Sequence, residues 1–186
     1  MSVRPVRLYG DPVLRRKALP VAEVDDTVRE LIADMRETML AYNGVGLAAN
    51  QVGVLQRVLV VDIPVDEETR ARYALVNPEL DQRTGAESGE EGCLSIPGLY
   101  EDVRRAQRVR VRGLDERGQP LEFVAEGYLA RALQHEVDHL DGVLFVDRLS
   151  LLKRQFLRSA LEAIARGELP AGHRASASGG APGSPS

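Results

Sequence analysis

An α+β fold, built of mainly antiparallel sheets around a central helix with an N-terminal and a C-terminal helix besides, is predicted by three features of the sequence. Apolar residues recur at helical spacing in three well-separated stretches. Short β-like runs fill the interval between the first stretch and the second. The last of these runs leads straight into a helix bearing His135-Glu136-x-x-His139, whose apolar side demands a sheet to pack on.

Residues 27–42, TVRELIADMRETMLAY, place Val28, Leu31, Ile32, Met35, Met39 and Tyr42 on one face and predict the first helix. Thr27 with Glu30 suggests a capping box, and Asn43-Gly44 a stop. After a glycine-rich link, RVLVVDIP (57–64) and YALVNPEL (73–80) read as strands, the first of them buried. Residues 81–99, DQRTGAESGEEGCLSIPGL, are polar and glycine-rich and predict irregular chain. VRVRGLD and PLEFVAE, joined by ERGQ, make 109–126 a hairpin. Residues 127–140 predict the central helix: Leu129, Leu133, Val137 and Leu140 fall in an arc of about 80° at 100° per residue. His135 and His139 share the neighbouring arc with Tyr128 and Ala132. Residues 151–166 predict a last helix with Ser150 as N-cap. Residues 1–166 form one expected domain, and 167–186, rich in Gly, Ser, Pro and Ala, an expected disordered tail.

With 44% hydrophobic and 28% charged residues, the composition is that of an ordinary globular domain. A net charge of −4 gives no global basic field for DNA. No apolar run approaches the roughly 20 residues of a membrane span, and the first residues lack a secretory h-region. Cys93 is the single cysteine, so no internal disulfide can form and a cytoplasmic setting is expected.

The chemistry sits in QHEVDHLDGVLF (134–145). Two histidines four apart on a helix project from one face and can converge on one ion, with the intervening Glu136 placed to act on a water that the ion activates. In one large class of zinc proteases a third histidine follows Gly142 by three residues; here that position is Phe145. The third ligand must come from elsewhere. His173 lies in the tail, and Glu162 and Glu168 lie on or after the last helix. Cys93, in the glycine-flanked turn EGCLS, is the remaining soft donor, and elimination favours it. Two imidazoles and a thiolate leave a fourth position open, the arrangement of a catalytic site.

GVGLAANQ (44–51), EGCLS (91–95) and QHEVDHLDG (134–142), in that order and at similar separations, resemble the three motifs of the peptide deformylases. RLYGDPVLRRKA also resembles that family's N-terminal segment, so the likeness covers about residues 3–165. The resemblance implies removal of the formyl group from the N-terminal formyl-methionine of new bacterial proteins. It implies Cys93, His135 and His139 as ligands of one divalent ion, commonly Fe(II), with Zn, Ni or Co able to replace it. Glu136 would be the general base, while Gln51 and the Leu94 N–H would stabilise the oxyanion. A substrate chain would pair with backbone near Gly46, where GVG can expose backbone to a bound peptide. Val45, Leu94, Tyr128 and Ala132 are candidates for the methionine pocket. After CLSIP, many members have a glutamate and then an arginine that contacts the peptide; this chain has Gly98-Leu99-Tyr100.

Nascent formyl-methionyl peptides are the partners this implies, for a monomer that binds neither DNA nor membrane. Arg154 and Arg158 suggest transient ribosome contact through the last helix, although a solvated helix face explains them more simply. Two other readings compete. An H-E-x-x-H endopeptidase would lack the downstream histidine, and a non-catalytic module that only binds formyl-peptides would have no use for Glu136 or Gln51.

Overall fold

The computed structural model describes residues 2–170; of the expected tail, 167–186, the part from Ala171 onward lies outside them. Helix α1 spans Asp26–Ala41 and is followed by strands β1 (Gly46–Ala48), β2 (Val58–Pro64), β3 (Arg70–Thr84), β4 (Glu87–Cys93), β5 (Ile96–Arg105), β6 (Arg108–Leu114) and β7 (Pro120–Glu126). Helices α2 (Gly127–Leu140) and α3 (Leu151–Ala165) follow, and short 3-10 turns lie at Pro12–Arg15, Ala49–Val52 and Phe145–Arg148. β1-β2-β3-β6-β7 form one antiparallel sheet, and β4-β5 pair as a separate ribbon.

β2 is buried from Val58 to Ile63, and apolar there except at Asp62, because both faces of the sheet are covered. Val58 and Val60 join Val28, Leu31, Ile32, Met35 and Met39 of α1 in one core. Leu59, Val61 and Ile63, on the opposite face by strand alternation, join Leu133, Val137 and Leu140 of α2. The motif helix is thereby held on the sheet, and every residue from Ala130 to Leu140 is buried. A third core of Ile96, Val103, Phe145, Leu161, Ile164 and their neighbours fastens the β4–β5 ribbon to α3, and with it fixes Cys93.

Two expectations need correction. The helix α1 cap is Asp25, whose carboxylate accepts from the Val28 N–H at 3.0 Å, so Thr27 lies inside the helix and forms no capping box with Glu30. The stop is as expected: Asn43 adopts φ 55° and the Gly44 N–H reaches Met39 O at 2.8 Å. Residues 81–99 are not irregular but mostly strand, for β3 runs on to Thr84 and β4–β5 is a hairpin. Glycines and acidic residues hide this pattern, since β4 buries just one residue, Glu91, and that one is charged. Here tertiary pairing overrides a sequence with weak strand propensity.

Ser150 caps α3 as expected, accepting from the Lys153 N–H at 3.3 Å. Gly142 follows the end of α2 with φ 75°, and a Cβ there would lie 2.6 Å from Arg15 O, so both backbone and packing require glycine. No helix among the described residues is long and apolar enough to cross a membrane.

Candidate metal centre and its cleft

Cys93 ends β4, and His135 and His139 stand one turn apart on α2. Their ligating atoms all lie within 4.8 Å of one another, a convergence of two of the three motifs, held where Glu91, Val103 and Arg105 of the ribbon bond to Arg131, His135 and Asp138 of α2. Cys93 Sγ is 3.3 Å from His139 Nε2, which is 3.2 Å from His135 Nε2. Donors around one tetrahedral ion with bonds of about 2.0–2.3 Å are roughly 3.3–3.6 Å apart, so this set fits a divalent metal with little movement. Burial pushes the His139 imidazole down, as does the neighbouring His135. Against its own burial, His135 is held up by Cys93 and Glu91. A cation among the donors would take the place of that proton.

His135 is oriented through its far nitrogen. Nδ1 donates to Glu91 Oε2 at 2.9 Å, which leaves Nε2 facing the other donors. Glu91 is itself gripped by Arg105 at 2.8 and 3.0 Å and by Arg131 at 2.9 Å. Arg105 also pairs with Asp138, and Asp138 with Arg148 at 2.7 Å. Burial would raise the Glu91 carboxyl, but the bonds from Arg105 and His135 win and lower it to about 2. The sequence reading missed this network. Its signal was the carboxylate two residues before Cys93, since a metal-bound imidazole needs an acceptor behind it.

A measurable consequence follows from the lowered carboxyl. Its stabilising contribution is complete above the ordinary carboxylate pKa of 4.5 and is lost as pH falls through about 2. Glu91→Gln is expected to lose on the order of 3 kcal/mol at pH 7, and much less near pH 2. Denaturant melts of the two metal-free proteins at both pH values check this; an equal deficit at both would refute it.

Glu136 lines the same cleft, with one buried carboxylate oxygen lacking a hydrogen-bond partner among the described residues. Burial raises its pKa from 4.5 to about 7. A Cβ on Gly46 would overlap this carboxylate, which explains the glycine better than any turn does, as Gly46 lies in a strand. Gln51 is buried just beyond β1, in the 3-10 turn Ala49–Val52. Its Oε1 accepts from the Ala48 N–H at 2.9 Å, so its Nε2 is turned to Ser95 Oγ at 3.1 Å and Cys93 Sγ at 3.5 Å.

Val45, Gly46, Leu94, Tyr128 and Ala132 all line this cleft of about 410 Å³ with Cys93, His135, Glu136 and Gln51. Every site residue predicted from the sequence therefore borders the cleft or, as His139 does, holds the donor cluster behind it. Tyr42, Glu90, Pro97, Gly98, Tyr100 and Arg131 line it too and were not predicted. Phe145 is 1% exposed, its ring 6.2 Å from that of His135, so this position packs beside the histidine and supplies no ligand.

Residues 3–155 match the family described as Polypeptide deformylase. The chain belongs to that family. It is 55% identical to a peptide deformylase of Alkalilimnicola ehrlichii over 166 residues, covering 89% of this chain and 93% of that one. A peptide deformylase of Thermodesulfovibrio yellowstonii is 47% identical over 85% of this chain and 96% of its own. Among solved structures, the Thermus thermophilus peptide deformylase superposes with a TM-score of 0.82 at 48% identity, covering 89% of this chain and 99% of that one. An Acinetobacter baumannii peptide deformylase with Met-Ala-Ser bound gives 0.76 at 39% identity, covering 80% and 100%. Polypeptide deformylases are metal-dependent hydrolases, and the Cys/His/His cluster is the group of residues here that could hold the metal.

Proposed function

We propose that this chain performs its family's reaction, the hydrolytic removal of formate from the N-terminal formyl-methionine of newly made proteins, at the cleft bordered by Glu136. The observation that carries the reading is a Cys/His/His donor cluster beside the buried carboxylate of Glu136, one oxygen of which has no hydrogen-bond partner among the described residues. Cys93, His135 and His139 hold one divalent ion; Fe(II) is the ion proposed, and two imidazoles with a thiolate also accept Zn, Ni or Co. When bound, such an ion supplies a water acidified toward neutral pH and a Lewis acid for the carbonyl oxygen.

Glu136 takes the proton of the attacking water and hands it to the departing amine, a task suited to a buried carboxylate with an unpartnered oxygen beside the donor cluster. Gln51 meets the charge growing on the formyl oxygen: its orientation is fixed by Ala48, so the amide donor is already aimed when the substrate arrives. The Leu94 N–H is the second donor. The substrate chain adds to β1, which lies at the edge of its sheet and is free on one side to pair with it. Gly46 leaves room for that chain beside Glu136, and Val45, Leu94, Tyr128 and Ala132 surround the methionine side chain.

The ion-loaded protein, purified without oxygen, is expected to release stoichiometric formate from formyl-Met-Ala-Ser. Formate at background with the ion fully bound would overturn the reading. Gln51→Ala is expected to lower kcat about 10²–10³-fold, the usual effect of removing one oxyanion donor. A cytoplasmic monomer acting on nascent chains fits this activity. Leu151, Leu152 and Phe156, 73%, 61% and 76% exposed beside Arg154 and Arg158, support a transient ribosome contact through α3.

A further inference from the structure

The segment ahead of Pro12 runs between the two elements that carry the oxyanion donors. The Arg7 N–H donates to Gln51 O at 2.7 Å, and the Tyr9 N–H, two residues on, donates to Ser95 O at 2.8 Å. Gln51 belongs to the 3-10 turn beyond β1, while Ser95 follows Leu94 in the turn of the β4–β5 ribbon. The ribbon pairs with no strand of the main sheet. Among the described residues, the Tyr9–Ser95 bond is its one backbone-to-backbone hydrogen bond to the rest of the chain.

The segment is itself anchored on both sides. Upstream, the Arg4 N–H donates to Thr38 Oγ1 of α1 at 2.8 Å. Downstream, Asn50 Nδ2, next to Gln51, donates to Arg16 O at 2.7 Å, and the Ala18 N–H donates to Leu140 O, next to His139, at 2.8 Å. Between these anchors the chain turns sharply. The Asp11 N–H closes on Leu8 O at 3.0 Å with Gly10 at φ 99°, the arrangement of a type II turn. A Cβ on Gly10 would come within 2.8 Å of Ala165 Cβ, so the end of α3 packs on this turn.

We propose that Arg7–Tyr9 is a strap whose backbone N–H groups hold the Gln51 amide and the Leu94 N–H in register for turnover, with Tyr9 as its positioning residue. The proposal rests on the deformylase reading for the role of those two donors. Gln51 Nε2 bonds Ser95 Oγ at 3.1 Å, so the amide that is to serve the formyl oxygen also helps to hold the ribbon turn. The bond from Tyr9 keeps Ser95 in place when that amide is drawn to the substrate. Donors aimed in advance need no reorganisation as charge develops, and a displacement of about 1 Å can cost about 10²-fold in rate.

Tyr9→Pro removes this bond with the turn preserved. Tyr9 is the second residue of the type II turn, a position that favours the fixed φ of proline. Tyr9→Ala is the control, for it loses the same ring and keeps the N–H. In the full, Ni(II)-loaded chains, Tyr9→Pro is expected to lower kcat for formyl-Met-Ala-Ser about 10–100-fold relative to Tyr9→Ala, with KM within about twofold and the ion still bound. Equal kcat in the two proteins, or a loss confined to KM, would overturn the proposal. A second measurement needs neither a substitution nor activity, and it stands if Tyr9→Pro fails to fold. In the Zn(II)-loaded, unchanged chain, NMR should find the Tyr9 amide exchanging hydrogen within about tenfold of the slowest amide of residues 93–96, because a strap and the turn it holds open together. Faster exchange at Tyr9 would mean that the turn stays closed without the strap, and would overturn the proposal. Formate at background in the unchanged, Ni(II)-loaded chain would strike the deformylase reading instead, and the exchange rates would then decide alone whether the strap holds the turn.

Discussion

Glu136→Ala is expected to reduce kcat/KM for formyl-Met-Ala-Ser by about 10³–10⁴-fold while one metal ion per chain stays bound. The two effects separate because Glu136 contributes no atom to the donor cluster of Cys93, His135 and His139. Alanine is also the best helix former, so α2 should keep its course. Glu136→Gln supplies a third readout. In the metal-free protein burial holds the carboxyl at about 7, against an ordinary 4.5. For an acid raised in this direction, the folded state pays nothing below pH 4.5 and a growing cost between 4.5 and 7. That cost is constant above pH 7. The glutamine protein should therefore be more stable than the unchanged one at pH 8, by on the order of 3 kcal/mol, and equal to it near pH 4. A site that loses its metal in Glu136→Ala, or a stability difference that does not depend on pH, would contradict the assignment. Metal analysis, formate release and denaturant melts at the two pH values decide between them.

The stability cost of Glu136 and the catalytic use proposed for it have one origin. Water excluded from the cleft floor raises the carboxyl, and the same exclusion makes its proton exchangeable near neutrality. The H-E-x-x-H spacing alone placed Glu136 between the two histidines on the predicted helix, so its position was legible in the sequence. What spacing could not reveal was the glycine at residue 46, whose missing Cβ leaves room for the carboxylate. That is a contact between α2 and β1, ninety residues apart in the chain.

Legibility followed periodicity closely. α2, α3 and β2 carry apolar patterns because each lies against a core, and their bounds came out within a residue or so. The β4–β5 ribbon failed because its inward side chains include Glu91 and Arg105, a buried ion pair that reads as surface in a sequence. This ribbon carries Cys93 and is the backbone partner of nothing in the main sheet. The third member of the donor cluster could therefore be named by elimination, while the element that delivers it could not. Chemistry restricts which residue types can bind a metal, whereas strand pairing depends on neighbours distant in sequence. The Glu91–Arg105–Asp138 network was hidden for the same reason: its members come from β4, β5 and α2.

Cys93→Ala is expected to abolish tight metal binding, with activity falling in proportion to the metal lost. Changing an acceptor behind a ligand, as Glu91→Gln would, typically costs 10–100-fold in affinity, and removal of a ligand itself should exceed that range. No neighbour is suited to substitute. Ser95 Oγ is occupied by Gln51 Nε2 at 3.1 Å, Glu91 is held by Arg105 and Arg131, and burial raises the Glu136 carboxyl to about 7. The fold should survive, because Cys93 is only partly buried and at the margin of its core. Thermal melts provide the discriminating measurement. A ligand that binds only the folded state raises stability as RT ln(1 + [L]/Kd), so added Ni(II) should raise the Tm of the unchanged chain and leave Cys93→Ala where it was. Equal shifts in the two proteins would mean that the histidines suffice and that the thiolate is not a ligand. A lower Tm for Cys93→Ala in metal-free buffer would show a packing role instead, and that baseline separates the two causes.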